Sequence, residues 1–333
     1  MRKRLGSMGF LGLVLCAQSL LSAQTVVLPA PDKEGWIKLF RGDNFSDWYI
    51  ANNGDKPPAQ SKLTFPNGTY SGSGDTIKVT GTPSGQIYFN HAFSHYRIRY
   101  QMHYPLNIGN SGMVMHVQEN DPTAGGFPRG LESQGDPNQG MGQVWSIGDI
   151  WFNIRAKIKD GRMTYDPSSP EIPYGGIDWD HRVVAGIDGW AKPEYAKMAE
   201  KTGWVRMESE VRGKDSVTNY VNDSVVVHFR FLRLSLGRTP DNAPKLIESG
   251  LLGWQAEGPM IWYRGIEIKL LPGDPLYAST YIQPRIRNTI HPRLVSKKVD
   301  LNTGILTFTL NDSKGVQVFD TKGFRVSNTK GRQ

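Results

Sequence analysis

Short alternating segments separated by turn residues constrain this fold more than any other feature of the sequence. In "YRIRYQMHY", residues 96–104, apolar and polar side chains alternate with the period of a half-buried β-strand. Similar runs rich in β-branched and aromatic residues recur between clusters of Gly, Asn, Asp and Pro through most of residues 24–280. Many short strands with frequent turns predict an all-β sandwich or jelly roll.

One stretch departs from the strand pattern. "KPEYAKMAEK", residues 192–201, has a helical composition with Pro193 near its start. We interpret the surrounding residues 155–203 as a long insertion loop, and such loops often line a binding site.

The composition changes after "LPGDP", residues 271–275. Residues 281–333 contain ten Lys and Arg against three Asp, lack Trp, and include the strand-like runs "GILTFTL", "GVQVFD" and "GFRVSN". We therefore predict a main domain at residues 24–275, followed at 276–333 by a linker and a small basic C-terminal β tail. The tail resembles the C-terminal sorting tails of type IX secretion cargo, with a simple stabilising appendage as the alternative.

The first 23 residues have the pattern of a secretory signal peptide. A basic start, "RKR", precedes an apolar run over roughly residues 8–21 and the small residue Ala23. We therefore expect a secreted protein, whether periplasmic, extracellular or at the cell surface, and no membrane anchor, because no stretch is long and apolar enough to span. Cys16 is the only cysteine. The mature chain would then lack disulfides, thiolate metal sites and cysteine nucleophiles.

The net charge of +8 is concentrated at the two ends of the chain. Residues 1–23 carry +3 and residues 281–333 carry +7, which leaves −2 for residues 24–280. A near-neutral body gives no indication of nucleic-acid binding. All nine Trp residues lie in that body. Because aromatic rings stack on the apolar faces of sugars, we expect a small-molecule or oligosaccharide ligand. Most of the Trp residues can also be ordinary core residues. Nothing in the pattern predicts the oligomeric state.

The segment "GLESQGD", residues 130–136, first suggests the paired acids of a glycosidase. Alternation along a strand would place Glu132 and Gln134 on one face. Glu132 and Asp136 would start about 13 Å apart along an extended strand, whereas direct glycosidases separate their carboxyl groups by about 5–9.5 Å. Gly135 and Pro137 also predict that Asp136 lies in a turn. This spacing argues against direct glycoside hydrolysis.

An ordered set of motifs resembles the 3-keto-disaccharide hydrolase domain family, whose members have a concanavalin A-like β-sandwich. The set covers roughly residues 34–271 and comprises "EGWIKLFRGDNFSDW" (34–48), "GNSGMVMHV" (109–117), "GLESQGD" (130–136), "GQVW" (142–145), "GWVRMESEVRG" (203–213), "VND" (221–223) and "GLLGWQAEGPMIWYRGIEIK" (250–269). The sequence departs from the family pattern at His116, usually Arg, at Asp223, usually Gly, and at Gly265, usually Asn.

The resemblance implies cleavage of glycosides already oxidised at C3. A ketone at C3 acidifies the C2 proton, so that a base can remove it, the C1 substituent can leave by elimination, and hydration completes a net hydrolysis. Such a site needs a general base, donors for the keto oxygen and an acid for the leaving group. The alternatives are a non-catalytic carbohydrate-binding module and a conventional β-glucan hydrolase; the latter is disfavoured because Gln134 replaces the middle acid of Glu-x-Asp-x-Glu.

Glu132 and His116 are the predicted catalytic residues. Glu132 is the candidate base, with an ordinary arginine-paired carboxylate as the alternative. His116 would share one strand face with Val114 and Gln118, opposite the apolar Met113 and Met115, and its titration range suits proton transfer. A purely structural histidine is the competing interpretation.

Six further residues are predicted to bind substrate. Four of them also have a structural interpretation: Gln134 as a buried amide between strands, Trp145 as a core residue, Asn110 in a turn, and Arg264 as the partner of a buried acid such as Glu132. The six are Asn110, Gln134, Trp145, Gln255, Glu257 and Arg264.

The sequence gives little indication of a metal. The seven histidines form no close cluster and no EF-hand pattern occurs. We predict no required cofactor or metal, with a structural Ca²⁺ at "GDIW" or "DPSSPE" as the alternative.

Overall fold

The structure is a computed structural model that describes most of the chain in segments. The described residues are 28–42, 44–52, 70–118, 129–138, 140–148, 150–159, 162–175, 183–184, 203–234, 245–281, 293–300, 305–311, 316–319 and 325–329. Among them, no helix is long and apolar enough to cross a membrane. The predicted signal peptide and the predicted helix at 192–201 lie outside these residues.

Twenty-three strands and one short helix make up the described residues. The first twelve strands are β1 Ile37–Lys38, β2 Trp48–Asn52, β3 Tyr70–Ser73, β4 Thr76–Val79, β5 Gly85–Phe93, β6 His95–His103, β7 Gly112–Val117, β8 Gly130–Gln134, β9 Val144–Ile147, β10 Ile150–Lys159, β11 Arg162–Tyr165 and β12 Glu171–Gly175. The others are β13 Val183–Val184, β14 Val205–Arg212, β15 Ser216–Val221, β16 Ser224–Leu234, β17 Lys245–Leu246, β18 Gly250–Ala256, β19 Ile261–Leu270, the helix α1 Tyr277–Tyr281, and β20 Arg293–Asp300, β21 Ile305–Asn311, β22 Val316–Phe319 and β23 Arg325–Thr329.

The strands up to β19 form two packed sheets. The first sheet has the order β3-β4-β19-β6-β14-β15-β16-β10-β12, with β1 beside β19 and β17 beside β16. The second has the order β2-β5-β18-β7-β8-β9-β13-β11. All of these pairs are antiparallel except β11 with β13. The predicted all-β sandwich is therefore confirmed.

The core lies between the inner faces of the two sheets. In β6, Tyr96, Ile98, Tyr100 and Met102 are buried while the residues at 95, 97, 99 and 101 are partly exposed, as the alternation in the sequence predicts. From the second sheet, Trp254 of β18 is fully buried and its ring contacts core aromatic rings on both sheets. This core is large enough to hold the sandwich together without disulfides.

Strand β10 connects the two sheets. Residues 150–155 pair with β12 and β16 in the first sheet, whereas residues 156–159 pair with β11 in the second. The prediction of a long insertion loop at 155–203 is therefore wrong for its first part, where β10 continues and β11 and β12 follow. Its residues 160–161, 176–182 and 185–202 lie outside the described residues.

The C-terminal strands form their own sheet. Strands β20 to β23 pair in sequence order as an antiparallel four-stranded meander, which confirms the predicted β tail. Before them, α1 packs against the main core, and the Tyr281 hydroxyl donates to Gly35 O at 2.7 Å. The boundary between main domain and tail at residue 275 stays a prediction.

Candidate functional site

Glu132 lies on the outer face of the second sheet, the face turned away from the first sheet. It is opposite Val114 of β7 and opposite Trp145 of β9, and Val114 is opposite Gly253 of β18. Side chains that are opposite one another in an antiparallel pair share a face. Val114 belongs to a small apolar cluster separate from the main core. The four strands therefore place Glu132 in the interior of this face rather than at a rim.

A glycine makes room for the Glu132 carboxylate. A Cβ at Gly112 would lie 2.5 Å from Glu132 Oε1 and 2.7 Å from Ser133 O. Because real Cβ atoms do not approach that closely, the Glu132 side chain occupies the space that a side chain at position 112 would fill. Glycine is therefore required at position 112 of the "NSG" motif, because any side chain there would clash with Glu132.

We expect Gly112→Ala to displace the Glu132 carboxylate and to reduce the free energy of unfolding by about 1–3 kcal/mol, the usual cost of overpacking a filled site. Urea denaturation would measure the loss. Gly74→Ala is the comparison, because its positive φ of 64° makes alanine unfavourable while no atom lies within 4 Å of the added Cβ, so that its loss reports backbone strain alone. A Gly112→Ala protein as stable as the wild type would contradict the arrangement.

Three carboxylates influence one another in this region. Glu132 and Asp136 are each 5% exposed, and Glu257 is partly buried. Burial, with a contribution from Asp136, raises the pKa of Glu257 to about 7. Burial raises the pKa of Glu132 well above its usual value, and the charge of Glu257 raises it further. Both carboxylates therefore keep their protons to higher pH than exposed carboxylates do, and Glu257 is partly ionised near neutral pH.

Amide side chains hold these carboxylates in place. Gln255 Nε2 donates to Glu257 Oε1 at 3.1 Å, and Asn110 Nδ2 donates to Glu257 Oε2. A hydrogen bond with Gln255 also opposes the rise in the pKa of Glu132. Glu132 Oε1, Gln255 Oε1 and Asn110 Oδ1 are buried and have no protein partner. Because buried polar atoms are normally paired, unpaired acceptors clustered beside two carboxylates are typical of a ligand site.

We expect Glu257 to make the protein less stable as pH rises. Its pKa is about 7 in the folded protein against a reference value of 4.5. Between these values the folded state holds a proton that the unfolded chain has released. The contribution is thus fully present below about pH 4.5 and is lost as pH rises through about 7, with a slope of up to about 1.4 kcal/mol per pH unit.

Urea denaturation at pH 5 to 8 would test this, compared with Glu257→Gln. The comparison with the variant is necessary because burial lowers the pKa of His91 and His228. These two histidines make the protein more stable as pH rises, which opposes the effect of Glu257. Identical pH slopes for the two proteins would contradict the assignment.

Gln134 and Asp136 form a turn after β8, as the sequence predicts for Asp136. Gln134 Oε1 accepts hydrogen bonds from the backbone N–H groups of Gly135 and Asp136, and Asp136 Oδ1 accepts one from Asn138 N–H. The Gln134 carbonyl oxygen is therefore engaged in positioning the turn. This turn holds Asp136 where it acts on the pKa of Glu257.

The structure corrects the expected position of His116. The register between β7 and β18 shifts by one residue at this point, and His116 adopts a left-handed backbone with φ 51°. Its Nε2 donates to Gly213 O, in the turn between β14 and β15, at 3.2 Å, and its ring lies against Tyr96 of the core. The expectation that it shares a face with Val114 is wrong, because the bulge turns it inward. Burial lowers the pKa of His116 to about 4.

The structure also corrects the pairing suggested for Arg264. Its side chain lies on the outer face of the first sheet, where Nε donates to Gln101 Oε1 at 2.8 Å and the guanidinium stacks on Trp204 at 3.9 Å. Glu132 lies on the other sheet, and the raised pKa of Glu132 is the opposite of what a paired arginine would cause.

The site residues predicted from sequence thus divide into two groups. Glu132, Gln255, Glu257 and Asn110 converge, and Trp145 is beside Glu132 on the same face with 9% exposure. His116 and Arg264 lie elsewhere, and the Gln134 carbonyl oxygen is engaged in the turn after β8.

Three residues of this face were missed from the sequence. Gln86 and Tyr88 of β5 lie on it opposite Gln255 and Gly253, and Tyr49 stacks on Tyr88 at 5.1 Å. The signal was present in "GQIYFN", where Gln86 and Tyr88 alternate with core residues. Alternation alone does not place these residues at the site, because it does not reveal which sheet a strand joins.

No group of three or more His, Cys, Asp or Glu side chains in the described parts of the chain has an arrangement that could hold a metal ion. The predicted absence of a required metal stays a prediction.

The two packed antiparallel sheets give the domain a jelly-roll-like β-sandwich architecture. The chain matches the 3-keto-alpha-glucoside-1,2-lyase-like domain over residues 35–269, and it is a member of that family. The resemblance inferred from the motifs is therefore confirmed.

Solved structures with similar folds include a putative glycosyl hydrolase from Parabacteroides distasonis ATCC 8503 (16% identity, TM-score 0.42), for which the match covers 74% of this chain and 100% of that one. The carbohydrate binding module CBM66 from Bacillus subtilis has 11% identity and a TM-score of 0.35, covering 69% and 99%. Porphyranase B from Zobellia galactanivorans has 10% identity and a TM-score of 0.36, covering 72% and 91%. No curated protein matches the chain significantly.

Proposed function

We propose that this protein is an enzyme that cleaves 3-keto-glycosides, with Glu257 and Glu132 as its proton-transfer pair. The observation that carries the proposal is the pair of buried carboxylates joined by Gln255, beside unpartnered polar atoms on the same face. Family membership supports a carbohydrate substrate. The raised pKa values of the two carboxylates support an acid and a base that act near neutral pH.

Glu257 is the base in this mechanism. The ionised carboxylate takes the C2 proton, and the C2–H electrons form the C2=C3 bond of an enolate on the keto oxygen. When the ketone re-forms, the enolate electrons expel the C1 substituent. Hydrogen bonds from Gln255 and Asn110 fix the two Glu257 oxygens, so that the base meets the substrate in one orientation.

Glu132 is the acid in this mechanism. Its protonated carboxyl group donates to the departing glycosidic oxygen, so that a neutral alcohol leaves. Addition of water to the resulting unsaturated keto sugar completes a net hydrolysis. The roles differ from the first expectation, in which Glu132 was the base and His116 its partner, because Glu132 is more deeply buried than Glu257 and His116 faces the core.

A substrate comparison tests the proposal. The full-length protein would be expressed with residues 1–23, and cell fractionation would show whether the protein is secreted. The purified protein would then be incubated with a 3-keto-glucoside and with the unoxidised parent glucoside. We expect release of the aglycone from the keto substrate alone. Binding without turnover would favour a carbohydrate-binding module, and turnover of the parent would indicate a conventional glycosidase; either result contradicts the proposal.

We further propose that the protein is secreted and that it requires no metal. Chelator treatment should therefore leave the rate unchanged.

A further inference from the structure

Two glutamine side chains are opposite each other across β5 and β18, next to the carboxylates. Gln86 and Gln255 are register partners, and they are 2% and 1% exposed. Paired residues in an antiparallel sheet have Cβ atoms about 4.5–5.5 Å apart. Two amides at that separation can bond to each other directly or can share a third group.

Each amide is fixed by a different neighbour. The Tyr88 hydroxyl donates to Gln86 Oε1 at 2.9 Å, and Gln255 Nε2 donates to Glu257 Oε1 at 3.1 Å. These bonds leave the Gln86 Nε2 donor and the Gln255 Oε1 acceptor buried without a protein partner. The two amides therefore present one unused donor and one unused acceptor. The hydrogen bonds to Tyr88 and Glu257 keep the two side chains in their present rotamers.

We propose that Gln86 and Gln255 together bind a single hydroxyl group of the substrate and so determine which sugars the site accepts. The hydroxyl donates its proton to Gln255 Oε1 and accepts a hydrogen bond from Gln86 Nε2. A hydroxyl is the group that fits, because it donates and accepts at one oxygen. A carboxylate would meet Gln255 Oε1 without a proton to give, and an ammonium would meet Gln86 Nε2 without a lone pair.

The position of the pair makes it a determinant of specificity. Gln255 also holds the proton-transfer carboxylates, so the bound hydroxyl lies beside the reacting part of the ligand. Sites that hydrogen-bond a hydroxyl reject analogues that lack it, because the buried partners are then left unpaired. The inference rests on the proposed function in taking the ligand to be a sugar, but it concerns binding and not turnover.

Binding of unoxidised methyl glucosides and of their 2-, 3-, 4- and 6-monodeoxy derivatives tests the proposal. Affinities would be measured by NMR titration with the wild-type protein, Gln86→Leu, and Gln101→Leu as a matched control on the other sheet. We expect the wild type and the control to lose about 10- to 100-fold in affinity for one monodeoxy sugar. Gln86→Leu should bind that sugar and its parent about equally. Thermal unfolding would establish that the variants are folded.

Three results would overturn the proposal. If the wild type bound every monodeoxy sugar as tightly as the parent, then water and not a sugar hydroxyl would be the hydrogen-bond partner of the two amides in the complex. Undiminished discrimination in Gln86→Leu would exclude Gln86 from recognition, and the absence of any sugar binding by the wild type would exclude a sugar hydroxyl. Discrimination by a protein that turns over no keto substrate would overturn the proposed function and leave the hydroxyl site standing.

Discussion

Glu257→Gln should lower kcat on a 3-keto-glucoside by about 10²- to 10⁴-fold, the usual contribution of a positioned base. Glutamine keeps the shape of the side chain and can still accept the Gln255 hydrogen bond, but it cannot take a proton. In wild-type protein the rate should rise with pH through about 7 as Glu257 ionises, and this limb should disappear in the variant. Steady-state kinetics across pH 5 to 9 would measure both effects.

Proton exchange distinguishes the base from the acid. In D₂O, wild-type protein should exchange the C2 hydrogen of the keto substrate, Glu257→Gln should not, and Glu132→Gln should retain exchange while losing activity mainly on poor leaving groups. Glu248→Gln is the matched control, because that carboxylate is 69% exposed and pairs with Lys214 away from the site. Full activity in Glu257→Gln would remove it as the base.

Trp254→Ala should reduce the free energy of unfolding by about 3–5 kcal/mol, which is the usual cost of deleting a large buried aromatic side chain. Trp254 is fully buried, and its ring centroid lies 5.4 Å from that of Trp48 and 6.1 Å from that of Tyr100. Since domains are stable by only about 5–15 kcal/mol, the variant should approach unfolding at room temperature. Guanidinium denaturation would measure the change.

Trp262→Ala is the matched control for this loss. Trp262 is half-buried on the outer face of the first sheet, with the Lys78 ammonium 5.2 Å from its ring centroid. We expect its replacement to cost about 1 kcal/mol, because less area is buried and the cation–π contact is exposed. Equal losses for the two tryptophans would contradict the description of the core.

Local periodicity predicted the sandwich because burial follows alternation within single strands. The alternating pattern of β6 is the example, since its four buried apolar residues are those the sequence indicates. The same rule failed at His116. The bulge there depends on how β7 pairs with β18, a strand more than 130 residues further along the chain. A register shift of this kind has no local signal, and it reverses the predicted face of every residue beyond it.

Which residues meet at the site also depends on which strands pair, and this is not a local property of the sequence. Alternation within β19 does not reveal that this strand belongs to the first sheet, where Arg264 lies away from Glu132. Conversely, Glu132 and Gln255 meet because β18 pairs with β7 and β7 with β8, an order that does not follow the sequence. The motif resemblance supplied part of this non-local information, since it grouped both segments in one domain.

Strand β10 has a consequence for how the domain opens. Because its first part is hydrogen-bonded in the first sheet and its last part in the second, neither sheet can separate there without breaking β10. The sheets should therefore exchange their most protected amide hydrogens in a single opening event. Native-state hydrogen exchange would then record one cooperative unit, and the outer face that carries Glu132 would be as rigid as the core behind it.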